Sequence, residues 1–236
     1  MSRFARLTLL VLAWFSAGPL RADTTLCVST ASELIAAVTS YRQMEDGATL
    51  RIKLVQGNYS IGAALGQEFA SSAGDDVKLS LLGGYSAGCA NRVINPLNTV
   101  IDGNNQGNSR IILVGDGDDA RIMVEGLTFR RFRSDNVLYA GALSLVLYDS
   151  DDGIVTLRYC RFVQNNSGAT VFLAAPQMRL VNNRITDNIV FPVASLRGAA
   201  VSAKYDIDGL DSSLYAGNNT IANNTGGVGL DIVDGP

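Results

Sequence analysis

Four stretches of the chain repeat one pattern: Ile122-Met-Val-Glu-Gly-Leu-Thr-Phe129, Val155-Thr-Leu-Arg-Tyr-Cys-Arg-Phe162, Met178-Arg-Leu-Val-Asn-Asn-Arg-Ile185 and Leu214-Tyr-Ala-Gly-Asn-Asn-Thr-Ile221. One face of each is read at relative positions 1, 3, 6, 8 and 11, as in Val155, Leu157, Cys160, Phe162 and Asn165. Alternation with period two, broken by one extra residue, describes two short strands meeting at a bend. A second run follows each stretch: Ala140-Gly-Ala-Leu-Ser-Leu145, Gly168-Ala-Thr-Val-Phe-Leu173, Gly198-Ala-Ala-Val-Ser-Ala203 and Thr225-Gly-Gly-Val-Gly-Leu230. Small residues make the corner there, and the fourth and sixth positions point inward.

The units begin at intervals of 23 to 36 residues, with the variation confined to their corners. Such a unit cannot bury its apolar face alone, but successive units stacked as coils can. The expected fold is therefore all-β, a right-handed parallel β-helix forming one solenoid. Asn183 and Asn219 share one coil position, and Asn165, Asn188 and Asn224 another, so their amides are expected to hydrogen-bond in ladders from coil to coil. Glycosylation is the rival reading, because Asn58, Asn165, Asn218 and Asn223 each open a sequon.

Upstream, Thr49–Val55, Val77–Leu82, Val100–Ile101 and Ile111–Val114 read as strands of less regular coils. Ser32–Tyr41 has helical spacing instead, with Leu34, Val38 and Tyr41 on one face and a capping box in Thr30-Ala-Ser-Glu33. A helix ahead of a solenoid covers the open end of its core and blocks edge pairing. No comparable cap is legible at the C-terminal end, where the chain stops at Pro236 just after a strand, which reads either as a truncated product or as an end covered by a protein partner.

Residues 1–22 read as a signal peptide, with Arg3 and Arg6 ahead of the apolar run Leu7–Phe15 and small residues up to Ala22. Residues 23–236 then form a single domain: an N-terminal cap over 23–48, irregular coils over 49–120 and regular coils over 121–236. No later run is apolar for the ~18 residues that a membrane helix needs, so no transmembrane segment is expected after cleavage. The chain as a whole carries a formal charge of −3. Nucleic acid is an unsuitable partner for so acidic a protein. Of the three cysteines, Cys160 falls at a core position, which leaves Cys27 and Cys89 as the expected disulfide of an exported protein. Three unpaired cysteines are the alternative.

With these repeats in view, the chain resembles exported bacterial parallel β-helix proteins of the pectin-lyase-like superfamily and is similar to the repeats of polymorphic outer-membrane proteins. The resemblance rests on Cys27-Val-Ser-Thr-Ala-Ser-Glu-Leu34, Val55-Gln-Gly-Asn-Tyr59, Leu82-Gly-Gly-Tyr-Ser-Ala-Gly-Cys-Ala-Asn-Arg92, Asn95-Pro-Leu-Asn-Thr-Val-Ile-Asp-Gly103 and Val124-Glu-Gly-Leu-Thr-Phe129. It implies fold and export, to the periplasm, the cell surface or the medium, and it implies no agreed activity.

Members of the superfamily that cleave acidic polysaccharides use a calcium cluster of carboxylates with an Arg or Lys base, or a set of aspartates. Neither motif can be matched here residue by residue, so no catalytic residue is assigned. The chain has no His, which excludes imidazole acid–base chemistry. Acid-rich turns recur at Asp75–Asp76, at Asp116, Asp118 and Asp119, at Asp149, Asp151 and Asp152, and at Asp206, Asp208 and Asp211. Stacked along one edge they make a candidate Ca²⁺ site, the one cofactor considered. The bland reading is that Asp and Gly simply solvate turns. Arg161 and Arg184 share an outward position with Thr128 and Thr220, while Arg158 sits one coil from Glu125 in what reads as an exposed ion pair. These arginines are candidates for holding a carboxylated or sulfated glycan, or serve as edge charges that keep the sheet soluble. Tyr85, Tyr148 and Tyr205 are candidate sugar-stacking aromatics. The expected function is a non-catalytic structural, adhesive or glycan-binding module. The alternative is a polysaccharide lyase or glycoside hydrolase, with Arg161 acting in a cleft.

Overall fold

The computed structural model describes residues 23–65, 68–70, 76–134, 141–192, 198–204 and 212–233. Residues 1–22, read above as a signal peptide, and Asp75, Tyr205, Asp206, Asp208 and Asp211 lie outside them. Described strands form a seven-stranded sheet, two six-stranded sheets and a three-stranded sheet. Each of the first three repeats gives one strand to each sheet, and the last gives one to every sheet but the three-stranded one. Ile154–Arg158 enters the seven-stranded sheet, Arg161–Val163 a six-stranded sheet of short strands, Asn166–Ser167 the three-stranded sheet and Ala169–Ala174 the other six-stranded sheet. Each then pairs in parallel with its counterpart one repeat on: Gln177–Val181, Arg184–Thr186, Ile189–Val190 and Ala199–Lys204. Among the described residues the sheets are parallel and there is a single α-helix, at the N-terminal end, which is compatible with the expected β-helix.

The bend between strands has a repeated backbone cause. The residue just before each inward corner position lies in the left-handed region: Tyr159 at φ 53°, Gln164 at 58°, Asn182 at 55°, Asp187 at 60°, Asn218 and Asn223 at 55°. One such residue turns the chain and returns the next side chain to the interior. In the first of the four repeats a glycine, Gly126 at φ 72°, takes this place.

Inward residues of the three larger sheets meet in one apolar core. Val155 and Leu157, Phe162, and Val171 and Leu173 all belong to it and are fully buried. Phe129 and Phe162 stack within it at 4.8 Å between ring centroids and 7° between planes, repeat on repeat. The last repeat departs from the expected alignment. Val201 pairs with Leu230 rather than Val228, a shift of two residues that keeps the face parity. The corner from Asn224 to Val228 is as long as that from Asn165 to Ala169, and Ala169 and Val228 both pair with Ala199, so Val228 opens the strand instead of taking the place of Val201.

Helix α1 spans Ala31–Ser40, and its capping box is formed by Thr30 and Glu33. Leu34, Val38 and Tyr41 are buried in the core. Ahead of it, the unanticipated strand Thr24–Val28 pairs with Thr49–Val55. The Tyr59 hydroxyl ties the two together, lying 2.8 Å from the Val28 carbonyl and 2.7 Å from that of Val55. Burial, with the Glu33 carboxylate nearby, pushes this phenol up to about 12. At the opposite end the final repeat is open. Leu230 and Ile232 are 40% and 51% exposed, whereas Val201 and Ala203, their partners in the preceding repeat, are fully buried.

Candidate functional site

Outward side chains of the seven-stranded sheet form three columns running across the strands. The first contains Thr49, Lys78, Arg121, Ile154, Gln177 and Ser213, and the second Arg51, Ser80, Met123, Thr156, Arg179 and Tyr215. Cys27, Lys53, Leu82, Glu125 and Arg158 follow in the third.

Residues 86–98 fold back over this third column. The Cys27–Cys89 disulfide, with Cα atoms 5.8 Å apart, anchors them to the first strand. Arg92 donates through Nε to the Gly83 carbonyl at 2.9 Å, and Thr128 donates to the Pro96 carbonyl at 2.7 Å. Two expectations are thereby corrected. Glu125 is 1% exposed, so its pair with Arg158, at 2.6 Å from Nε to Oε2, is not a surface pair, and Arg92 Nη1 joins it at 2.9 Å from Oε1. Thr128 shares its position with Arg161, Arg184 and Thr220 as expected, but it is buried beneath Pro96 rather than exposed with the two arginines. Tyr85 is likewise no sugar platform. It is 9% exposed, with Lys53 Nζ 5.3 Å and the Arg92 guanidinium carbon 5.2 Å from its ring centroid.

The first two columns stay uncovered and frame a shallow groove of about 240 Å³. Arg51, Lys78, Arg121 and Arg179 line it together with Ser80, Thr156, Met123 and Ile154, and no acid is among its lining residues. Sequence reasoning singled out different arginines. Arg161 and Arg184 are register partners, but on the short-strand sheet, and Arg158 lies in the third column with Glu125. What the sequence offered for the groove was the outward parity of Arg51, Arg121 and Arg179, once the strands are aligned.

The acidic turns stack as expected over three repeats. Asp76 N–H donates to the Asp116 carbonyl at 2.9 Å, Asp119 N–H to Asp76 Oδ1 at 2.6 Å, and Asp152 N–H to the Asp118 carbonyl at 3.2 Å. Asp76, Asp116, Asp118 and Asp149 line one open cleft of about 310 Å³. Among the described residues, no three Asp, Glu or Cys side chains are grouped so as to hold a metal ion. The acidic row is also interrupted at the next corner, which is Ala175–Pro176.

A second buried carboxylate is Asp102, fully enclosed at the end of Thr99–Asp102. Burial opposes its ionisation, but donation from Arg131, the Asn104 N–H and Arg130 outweighs this and holds the carboxyl below the usual range. Arg130 Nε lies 2.8 Å from Oδ2, and Arg131 Nε 2.9 Å from Oδ1. A depressed folded-state value stabilises the protein above the unfolded-state value and loses that contribution as pH falls below roughly 4. Asp102→Ala is expected to cost about 3 kcal/mol at neutral pH, because both arginines lose a buried partner but can reach solvent. Urea denaturation at pH 7 and pH 3 checks this: the difference between wild type and variant shrinks at pH 3.

Cys160 is a fully buried free thiol, and burial pushes it up to about 12. It packs against the Arg158 carbonyl, with Sγ 3.3 Å away. Native protein treated with iodoacetamide at pH 8 is therefore expected to stay unlabelled at Cys160, with full labelling once guanidinium unfolds it, as read by mass spectrometry.

Searches against protein-family models, curated proteins and solved structures each return no match for this chain. The chain is thus placed by its own architecture, which among the described residues is that of an all-parallel β-protein of repeated units with one N-terminal helix.

Proposed function

We propose that this chain is a right-handed parallel β-helix of the pectin-lyase-like kind, exported to the periplasm or cell surface, and that it serves as a non-catalytic glycan-binding or adhesive module. The observation that carries the reading is the open groove across the strands of the seven-stranded sheet, lined by cations and hydroxyls. A surface built from repeats offers the same contacts over and over, which suits a polymeric ligand. The disulfide accords with an oxidising destination.

The enzymatic alternative has weaker support. Arg161 and the Asp116–Asp149 cleft lie towards opposite ends of the five-residue strand Ile154–Arg158, about 16 Å in length. A base and a carboxylate cluster so far apart do not converge on one bond. The test is a panel of acidic and neutral polysaccharides incubated with the purified chain, with and without Ca²⁺, and read for retention, new reducing ends and unsaturated products. Retention without cleavage is the expected result. Calcium-dependent cleavage would replace this reading with a lyase whose metal sits at the acidic corners.

A further inference from the structure

We infer that the ligand of this groove is an acidic polysaccharide, carboxylated or sulfated, lying along the repeat axis and held by Arg51, Lys78, Arg121 and Arg179; the inference rests on the glycan-binding reading above. Charge is segregated on this molecule. The chain is acidic overall, yet four cations and no acid line the groove. Lys78 and Arg179 form no ion pair among the described residues. The other two make only loose, exposed pairs, Arg51 with Asp23 at 3.8 Å and Arg121 with Asp119 at 3.7 Å. Such pairs are worth little and exchange readily for a better-placed anion.

Spacing selects a polymer over a small anion. The cations sit on Thr49–Val55, Lys78–Tyr85, Arg121–Glu125 and Gln177–Val181, which occupy places two, three, four and six of the sheet order. Four strand spacings separate the first from the last, about 19 Å at ~4.8 Å each. One strand spacing is close to the length of a sugar ring in an extended chain, so anionic groups on successive or alternate sugars meet successive cations. Ser80 and Thr156, half-buried between the charges, are placed for ring hydroxyls, and half-buried Met123 and Ile154 for the apolar face of a sugar. Tyr215, 64% exposed at the end of the Arg51–Arg179 column, extends this track as a stacking platform. The track has borders: residues 86–98 cover the third column on one side, and the exposed carboxylates of Asp118, Asp119, Asp151 and Asp152 repel an anion on the other. A chain in a bordered track fits this geometry better than a flat anionic membrane.

The experiment is titration calorimetry of wild type, Arg121→Ser/Arg179→Ser and Lys204→Ser against polygalacturonate, dextran sulfate, neutral dextran and phosphatidylserine vesicles. Thermal unfolding is recorded for each variant. Wild type is expected to bind both polyanions, more weakly as salt rises, and to ignore dextran. The double variant should lose about tenfold or more in affinity with an unchanged unfolding midpoint, through the loss of two charge-assisted contacts. Lys204→Ser, on another sheet, should bind as wild type. Undiminished polyanion binding by the double variant overturns the groove assignment. Equal binding of dextran overturns the acidic class while glycan binding itself stands, and binding to vesicles alone overturns both.

Discussion

Replacing Asn188 by leucine is expected to lower the free energy of unfolding by about 4 kcal/mol, although the two side chains are similar in size and the site is buried. Asn188 Oδ1 accepts from the Asn165 N–H at 3.0 Å and from Asn165 Nδ2 at 2.9 Å. Its Nδ2 donates to the Phe162 and Thr186 carbonyls at 3.2 and 3.0 Å, and to Asn224 Oδ1 at 2.8 Å. Leucine leaves all these partners facing an apolar group, at about 1–3 kcal/mol for each one that finds no substitute. At Asn224, in the open last repeat, water can replace the lost bonds, and the same change should cost only about 1 kcal/mol. Urea denaturation of both variants measures the contrast, and equal losses at the two sites would show that burial of the ladder is not what makes it stabilising.

Removing the disulfide is expected to have a similar effect for a different reason. Cys27 and Cys89 are 62 residues apart, so their cross-link removes about 4 kcal/mol of loop-closure entropy from the unfolded chain. Cys27→Ala/Cys89→Ala should accordingly unfold at lower urea, and dithiothreitol should produce the same shift in wild type but none in the variant. Freed from their anchor, residues 86–98 should also expose Glu125, an amide-exchange change local to Gly83, Gly84 and residues 124–128. A variant as stable as wild type would mean that the packing of Arg92 and Pro96 alone fixes this segment.

Much of the architecture is legible in the sequence because one face of each repeat is so consistently apolar. Thr49–Val55 is recovered to the residue, since its alternation is unbroken from Leu50 to Leu54. The Asn ladders are legible as well, through shared coil position rather than hydrophobicity. Asn165 is 1% exposed and fully engaged in its ladder, which answers the glycosylation reading at that sequon in the folded protein.

Period two tells inside from outside for a strand, but not what folds over the outside. Glu125, Tyr85 and Thr128 all read as outward, and only the return of residues 86–98 buries them. The groove was hidden for a related reason. Its cations come from strands that start at residues 49, 78, 121 and 177, of which the first two lie ahead of the four regular repeats, where the sequence pattern sets no alignment. Arg161 and Arg184 stood out instead because they fall in the clearest repeats. The two-residue shift at Val228 preserves the alternation, so nothing in the pattern of that strand reveals it.

In-register stacking of the repeats underlies the ladders and the groove alike, and it is read most directly by NMR couplings across hydrogen bonds in deuterated, isotope-labelled protein. Couplings are expected from the Cys160 amide to the side-chain carbonyl carbon of Asn183, and from the Asn183 amide to that of Asn219, matching N···Oδ1 distances of 2.9 Å for both. Couplings from these amides to other acceptors, or none with both amides protected from exchange, would contradict the register and with it the alignment of Arg51, Lys78, Arg121 and Arg179 along one groove.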